Sequence, residues 1–334
     1  MRAFLIIASG TPLLVSGFAA MILSSRLWIW FRIFRQRLLM KFIWLVALFL
    51  LTPVISSATA SAQRKNIPDP NRVPPVVRTT MRHEQRHFAY GGTLTIVGAP
   101  EGSITIEAWP ETEVDISAEI QLRADSESDL DLLAAVNTFT LDEDANHLRI
   151  ITTGTHDKAF MRSVQKRFPK QFPRTLMGLP FKIDYRIRVP IATDIEVNAG
   201  RGPINLAGIE GNIQVSAAES DAKLNLSGGT LIATIGTGTT TLTVPSRSWR
   251  GVGADIRMAA GEINAIFSPG FSGDVDAEIL RTGQIVDSYG ELRVSQKPAL
   301  PQKVKARAGS GGASFRFTIG DGTINIKKAV SATE

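Results

Sequence analysis

From Tyr185 onward, apolar residues fall in pairs around one polar residue, with small or glycine-rich turns between them: Ile195/Val197, Ile204/Leu206, Ile213/Val215, Leu224/Leu226 and Leu242/Val244. The steps are 9, 9, 11 and 18 residues, so the chain repeats a unit of about nine. The pattern returns at Ile256/Met258, Ile263/Ala265, Val275/Ala277, Leu292/Val294, Phe315/Phe317 and Ile324/Ile326. A strand of four or five residues sends alternate side chains to one face and cannot shelter them alone; it must stack. The spacing predicts a mainly β fold, a repetitive short-strand β-solenoid or β-helix-like domain with rungs ~4.8 Å apart. A meander or sandwich of hairpins is the alternative, although Asp321-Gly322 is the one clear two-residue hairpin signal. Asn205, Asn225, Asn264 and Asn325 each lie between two inward residues and are expected on a solvated face, not in an internal ladder or a calcium row.

The same alternation runs from Gly91 to Ile120. Between the two runs, at about 122–182, lies an insertion. "SESDLDLLAAVNTF" predicts a short helix with Ser128 and Asp131 as its capping box, followed by a hairpin-like pair around Leu141 and Leu148 to Ile151. Further on, Lys158, Arg162, Lys166, Arg167, Lys170 and Arg174 alternate with Phe160, Val164, Phe168 and Phe172 at intervals of four. This predicts an amphipathic helix cut by Pro169 and Pro173. It either contacts an anionic surface or covers a flank of the sheet with its phenylalanines inward.

Upstream, "MKFIWLVALFLLTPVISSATASA" reads as a secretory signal peptide over 40–62, with cleavage expected before Gln63. Residues 1–39 form a hydrophobic, Arg-rich extension: a misplaced start, or one half of a membrane hairpin with its arginines on the cytoplasmic side. Residues 63–80 carry four prolines and are expected to be an extended linker. The repeat domain then spans 81–330. Both readings of the leader export it to the periplasm, cell surface or beyond.

Composition changes this picture little. The net charge of +6 invites a nucleic-acid reading, but residues 1–62 hold six basic residues and no acid, so the body is balanced and no nucleic-acid partner is expected. The chain has no cysteine, which excludes thiol catalysis, Cys-ligated metals and a lipidated N-terminal Cys.

The stretch "YRIRVPIATDIEVNAGRGPINLAGIEGNIQVSAAESDAKLNLSGGTLIATIGTGTTTL" resembles the bacterial putative-adhesin domain family, in which a Tyr-x-Ile-x-Val-Pro entry precedes rows of Gly-x-Ile-x-Val rungs. "GADIRMAAGEINAIFSPGFSGDVDAEILRTGQI" and "GDGTINI" look like later rungs of that family, and the likeness covers most of 88–328. It implies an exported or envelope-attached β-solenoid-like domain with no established catalytic residues and no cofactor.

His83-Glu84-Gln85-Arg86-His87 is a literal HExxH, the zinc-protease motif. That chemistry needs a helix. On a strand the two histidines share a face but lie ~13 Å apart, and the sequence after Phe88 runs directly into glycines and a strand. An edge strand is therefore expected here, with no metal ligands. Nucleophile elbows and phosphate-binding loops are absent from the sequence. The expected function is that of a non-enzymatic envelope protein acting as adhesin-like binder or scaffold toward a polymer, glycan or protein. The alternatives are a polysaccharide-active enzyme and a structural or regulatory partner of envelope proteins.

Overall fold

Strict alternation of inward aliphatics and outward polar residues makes strands, and the computed structural model shows them throughout the residues it describes: 75–88, 90–98, 100–168, 171–295 and 302–329. The leader, its cleavage site and most of the Pro-rich linker lie outside the described residues. In chain order the elements are β1 (Val76–His87), β2 (Thr93–Val97), β3 (Ile104–Trp109), β4 (Glu113–Ala124), helix α1 (Glu127–Ala134), β5 (Thr138–Glu143), β6 (His147–Thr153) and helix α2 (Lys158–Val164). They continue as β7 (Lys182–Pro190), β8 (Asp194–Arg201), β9 (Ile204–Ala207), β10 (Asn212–Glu219), β11 (Ala222–Asn225) and β12 (Gly228–Val244). The last five are β13 (Arg250–Phe267), β14 (Gly273–Asp287), β15 (Leu292–Val294), β16 (Lys303–Ala308) and β17 (Ser314–Lys328). The fold is mainly β, a 17-stranded sheet with a small helical part.

The register explains the nine-residue rhythm. Ile195, Ile213 and Leu231 stand opposite one another in parallel across β8, β10 and β12, and Ile204, Ala222 and Thr240 do so across β9, β11 and β12. Each 18-residue turn of chain thus contributes one strand to each of two parallel rows. The first row runs β6, β2, β8, β10, then the leading halves of β12, β13, β17 and β14. The second runs β7, β3, β9, β11, then the trailing halves of the same long strands. The core lies between the rows. The predicted inward pairs from Ile195/Val197 to Leu242/Val244 are buried, and Leu231, Ala233 and Ile235 fill the rung that the step of 18 skipped.

The halves of each long strand meet at a corner that only glycine fits. Gly238, Gly261, Gly322 and Gly283 are successive neighbours in one column of the stack. Gly261 and Gly322 have φ of 129° and 140°, and a Cβ on either would lie 2.0 or 1.9 Å from the carbonyl oxygen of the next glycine in the column. Asp321-Gly322, the one hairpin signal in the sequence, is therefore a corner inside β17.

Two rungs leave chain order. The β2–β3 turn stands between β6–β7 and β8–β9, and β17 enters between β13 and β14, paired in parallel with both. The region 122–182 is accordingly more than an insertion, because β6 is a rung of the first row. Antiparallel strands finish the stack: β5 on β6, β4 on β7 and β1 on β4 at one end, β16 on β14 and β15 on β16 at the other.

Several local expectations are corrected. Leu292/Val294 is no inward rung; β15 lies antiparallel on β16 and Val294 is exposed. The first helix is capped by Ser126, whose Oγ accepts from the Asp129 backbone N, two residues before the expected capping box. The linker ends earlier than expected, since β1 starts at Val76. Asn264 points outward yet is buried, because Lys327 and Asn325 from the neighbouring strand donate to its Oδ1 at 2.8 and 3.1 Å and roof it over. Among the described residues no helix is long and apolar enough to cross a membrane.

Candidate functional site: a polar groove beside the edge strand

Where the second row ends, four strands lie side by side in the order β1, β4, β7, β3. Their outward side chains line up across the strands. Asp184 faces Glu119, which faces Met81; Arg186 faces Ser117, which faces His83; Arg188 faces Asp115, which faces Gln85. On the other side of β7, Thr105 stands beside Arg186 and Glu107 beside Arg188. All of these but His83 and Gln85 line, together with Ser103, a groove of ≈ 670 Å³.

Two of its four carboxylates are already engaged. Asp115, only 6% exposed, accepts from Arg188 Nε and Nη2 at 3.0 and 2.7 Å through Oδ2, and its Oδ1 is paired with His83 Nε2. Burial pushes its pKa up, but Arg188 and His83 together outweigh this and hold it below the ordinary value. Arg188 also lies 4.5 Å over the Trp109 ring, whose Nε1 donates to the Glu113 carbonyl at 2.7 Å. Asp184 receives the Ser103 backbone N and Oγ, both at 2.7 Å, and pairs with Lys182 at 2.6 Å. Burial raises it, while Lys182 and Ser103 bring it below the ordinary value. Arg186, Glu107 and Glu119, by contrast, have neither an ion pair nor a side-chain hydrogen bond among the described residues.

The HExxH motif lies on β1, an edge strand paired only with β4 among the described residues. Alternation splits the motif: His83 and His87 share the groove side, while Glu84 projects to the other, held by Arg82 and Arg86 at 2.9 Å each. A glutamate on the face opposite both histidines cannot serve a metal held between them.

The basic set falls elsewhere. Asp157 caps α2, which lasts only from Lys158 to Val164, and short 3-10 turns follow at Gln165–Arg167 and Arg174–Leu176. Lys158, Arg162, Lys166, Arg167 and Arg174 are exposed, and Lys170 lies outside the described residues. Val164 and Phe172 are buried, and Phe168 packs edge-to-face on Phe172 at 5.4 Å. The apolar side of the segment joins the core of the fold, as the covering reading requires.

The stretch "YRIRVP" supplies both aspects of β7. Tyr185, Ile187, Val189 and Pro190 are buried, with Tyr185 Oη 2.7 Å from Thr152 Oγ1 and its pKa raised by burial. Arg186 and Arg188 face outward into the groove. Sequence reasoning did not find the groove. Alternation marks its side chains as outward, but nothing in the order of residues says that 81–85, 103–107, 115–119 and 184–188 are neighbours.

No family model matches the chain, and no curated protein matches it in sequence. Solved structures similar to it include a putative cell adhesion protein from Clostridium sporogenes, with 14% identity, a TM-score of 0.36, and coverage of 75% of this chain and 100% of that one. A putative adhesin from Bacteroides fragilis has 10% identity and a TM-score of 0.27, covering 75% of this chain and 97% of its own. A putative lipid binding protein from Parabacteroides distasonis has 13% identity and a TM-score of 0.17, with the same coverage.

Proposed function

We propose that this chain is an exported, non-enzymatic cell-envelope protein whose β-solenoid-like stack serves as an adhesin-like binder or scaffold. The observation that carries the reading is the placement of the groove's free carboxylates. Glu107 and Glu119 flank β7 on separate strands and are offset by four residues along it, so their Cα atoms lie roughly 16 Å apart. Paired carboxylates that cleave glycosidic bonds work at about 5 to 9.5 Å. The two remaining carboxylates are held ionised by Arg188, His83, Lys182 and Ser103, which suits neither to donate a proton. The arrangement supports holding a ligand more than transforming one.

Export is tested by fractionating the native host and sequencing the N-terminus of the recovered protein. The reading expects the body outside the cytoplasm, beginning at Gln63 if the leader is removed; a cytoplasmic protein would overturn it. A second reading, contact with an anionic surface, is favoured by the exposed cations around α2, for none of Lys158, Lys166, Arg167 and Arg174 has an acidic partner among the described residues. Reversing the charges of Arg162, Lys166 and Arg167 should then abolish binding to anionic liposomes and leave stability within about 0.5 kcal/mol. Unchanged liposome binding would remove this reading.

A further inference from the structure

We propose that the groove across β3, β7, β4 and β1 binds a segment of uncharged oligosaccharide, and that Arg186, Glu107 and Glu119 hold it. This rests on the non-enzymatic surface-binding reading above and gives it a site and a ligand class.

The ligand class follows from which charges are free. The ion pairs of Asp115 with Arg188 and of Asp184 with Lys182 are complete within the fold. Breaking either would leave a part-buried charge without its partner, so neither is available to a ligand at low cost. What remains is one guanidinium and two carboxylates, all exposed. Arg186 sits centrally, with Thr105 beside it on β3 and Ser117 beside it on β4. Glu119 stands one row toward Met81, and Glu107 one row toward Arg188.

This pattern selects against charged polymers of either sign. A polyanion that reaches Arg186 must pass Glu107, Glu119 and Asp184; a polycation that reaches the glutamates must pass Arg186 and Arg188. A chain of hydroxyl groups suffers neither penalty. Each hydroxyl can donate to a carboxylate and accept from a guanidinium, so donors and acceptors are matched along the groove, and Thr105 and Ser117 can do both. Met81, 68% exposed at the groove's edge, supplies apolar surface for the C–H face of a sugar ring. From Asp184 to Arg188 the groove floor spans ~13 Å. With a volume of ≈ 670 Å³, this fits a short segment of a longer chain, within the ordinary size of ligand sites.

The test is a glycan array followed by calorimetric titration of the exported protein with its best uncharged hexasaccharide, with hexagalacturonate as the acidic counterpart and an extended hexapeptide as the peptide counterpart. The expected result is saturable binding of an uncharged glycan, weakened about tenfold or more by Arg186→Gln and by the Glu107→Gln/Glu119→Gln pair, consistent with lost hydrogen bonds to charged groups. All three positions face water, so melting temperatures should not move, which separates lost contact from lost fold. Reversal of Arg162, Lys166 and Arg167 should leave glycan binding unchanged. Failure of every uncharged glycan to bind at millimolar concentration, tighter binding of hexagalacturonate or the peptide, or affinity indifferent to the groove substitutions would each overturn the assignment. Product analysis keeps the two readings distinct. Shortened hexasaccharide would end the non-enzymatic reading while leaving the groove in place, whereas an exported protein with no saccharide affinity would do the reverse.

Discussion

The parallel stack from β8 to β14 and the antiparallel layer of β1, β4 and β7 use the same alternation, yet their outward faces differ in kind. In the stack each residue lies beside its counterpart one turn later, and across β8, β10 and β12 the column of Asn198, Ser216 and Thr234 repeats small polar groups. In the antiparallel layer the chain returns against itself and sets unlike stretches together: Asp115 meets Arg188, Ser117 meets Arg186, and His83 reaches Asp115. A strict repeat sets counterparts side by side. A return stroke puts unlike groups together, which is what a binding site requires.

Substitutions can break that contrast from either side, and the stack should yield the largest effects. Phe317, fully buried on the interposed strand β17, packs between β13 and β14; Phe317→Ala should cost about 4 kcal/mol in denaturant unfolding, the usual loss for a buried aromatic. Gly261→Ala at the corner column should cost about 3 kcal/mol by the same measurement, since the added Cβ meets a carbonyl at 2.0 Å in a backbone region that L-residues avoid. If that substitution were neutral, the corner geometry would be wrong.

The antiparallel layer should respond to pH instead. Asp115 has its folded pKa below its ordinary 3.8, so its pairing stabilises the fold above about pH 4 and is lost as pH falls further through the folded value. Asp115→Asn should cost about 1–2 kcal/mol at neutral pH, because Arg188 is half exposed and water recovers part of its charge. The variant's stability should fall less steeply than the parent's between about pH 5 and 2; parallel curves would show that Asp115 is not the linked group. The smallest effect belongs to Ser220, buried with no partner for its Oγ among the described residues. Ser220→Ala should be neutral or stabilising by up to about 1 kcal/mol in thermal melts.

The stack was legible in sequence because its physics is local and repeated. Each inward pair, such as Ile213/Val215, announces a rung, and two steps of nine lead to its neighbour in the same row, as from Ile195 to Ile213. Stacking order was not legible, since Phe315 and Phe317 look alike whether their strand follows β14 or slips in ahead of it. Nor was Thr240, which occupies an inward position in a run of threonines and is fully buried with an unpaired hydroxyl. The segment after Lys158 buries the predicted apolar face, but its α-helix ends at Val164, short of the stretch that the four-residue rhythm covers. The groove was hidden because its members come from four separate stretches and become neighbours only through pairing.

The order of rungs is the claim on which the rest stands, and the absence of native cysteine makes it directly measurable. Asp255 and Asp276 each face Arg316 on the interposed strand and are separated from each other by it. Cysteine pairs Asp255→Cys/Arg316→Cys and Asp276→Cys/Arg316→Cys should therefore both oxidise to disulfides in the folded protein, whereas Asp255→Cys/Asp276→Cys, about 9.6 Å apart at the Cα atoms, should not. Ready cross-linking of 255 to 276, with 316 failing to link to 255, would mean that rungs follow chain order and would contradict the account.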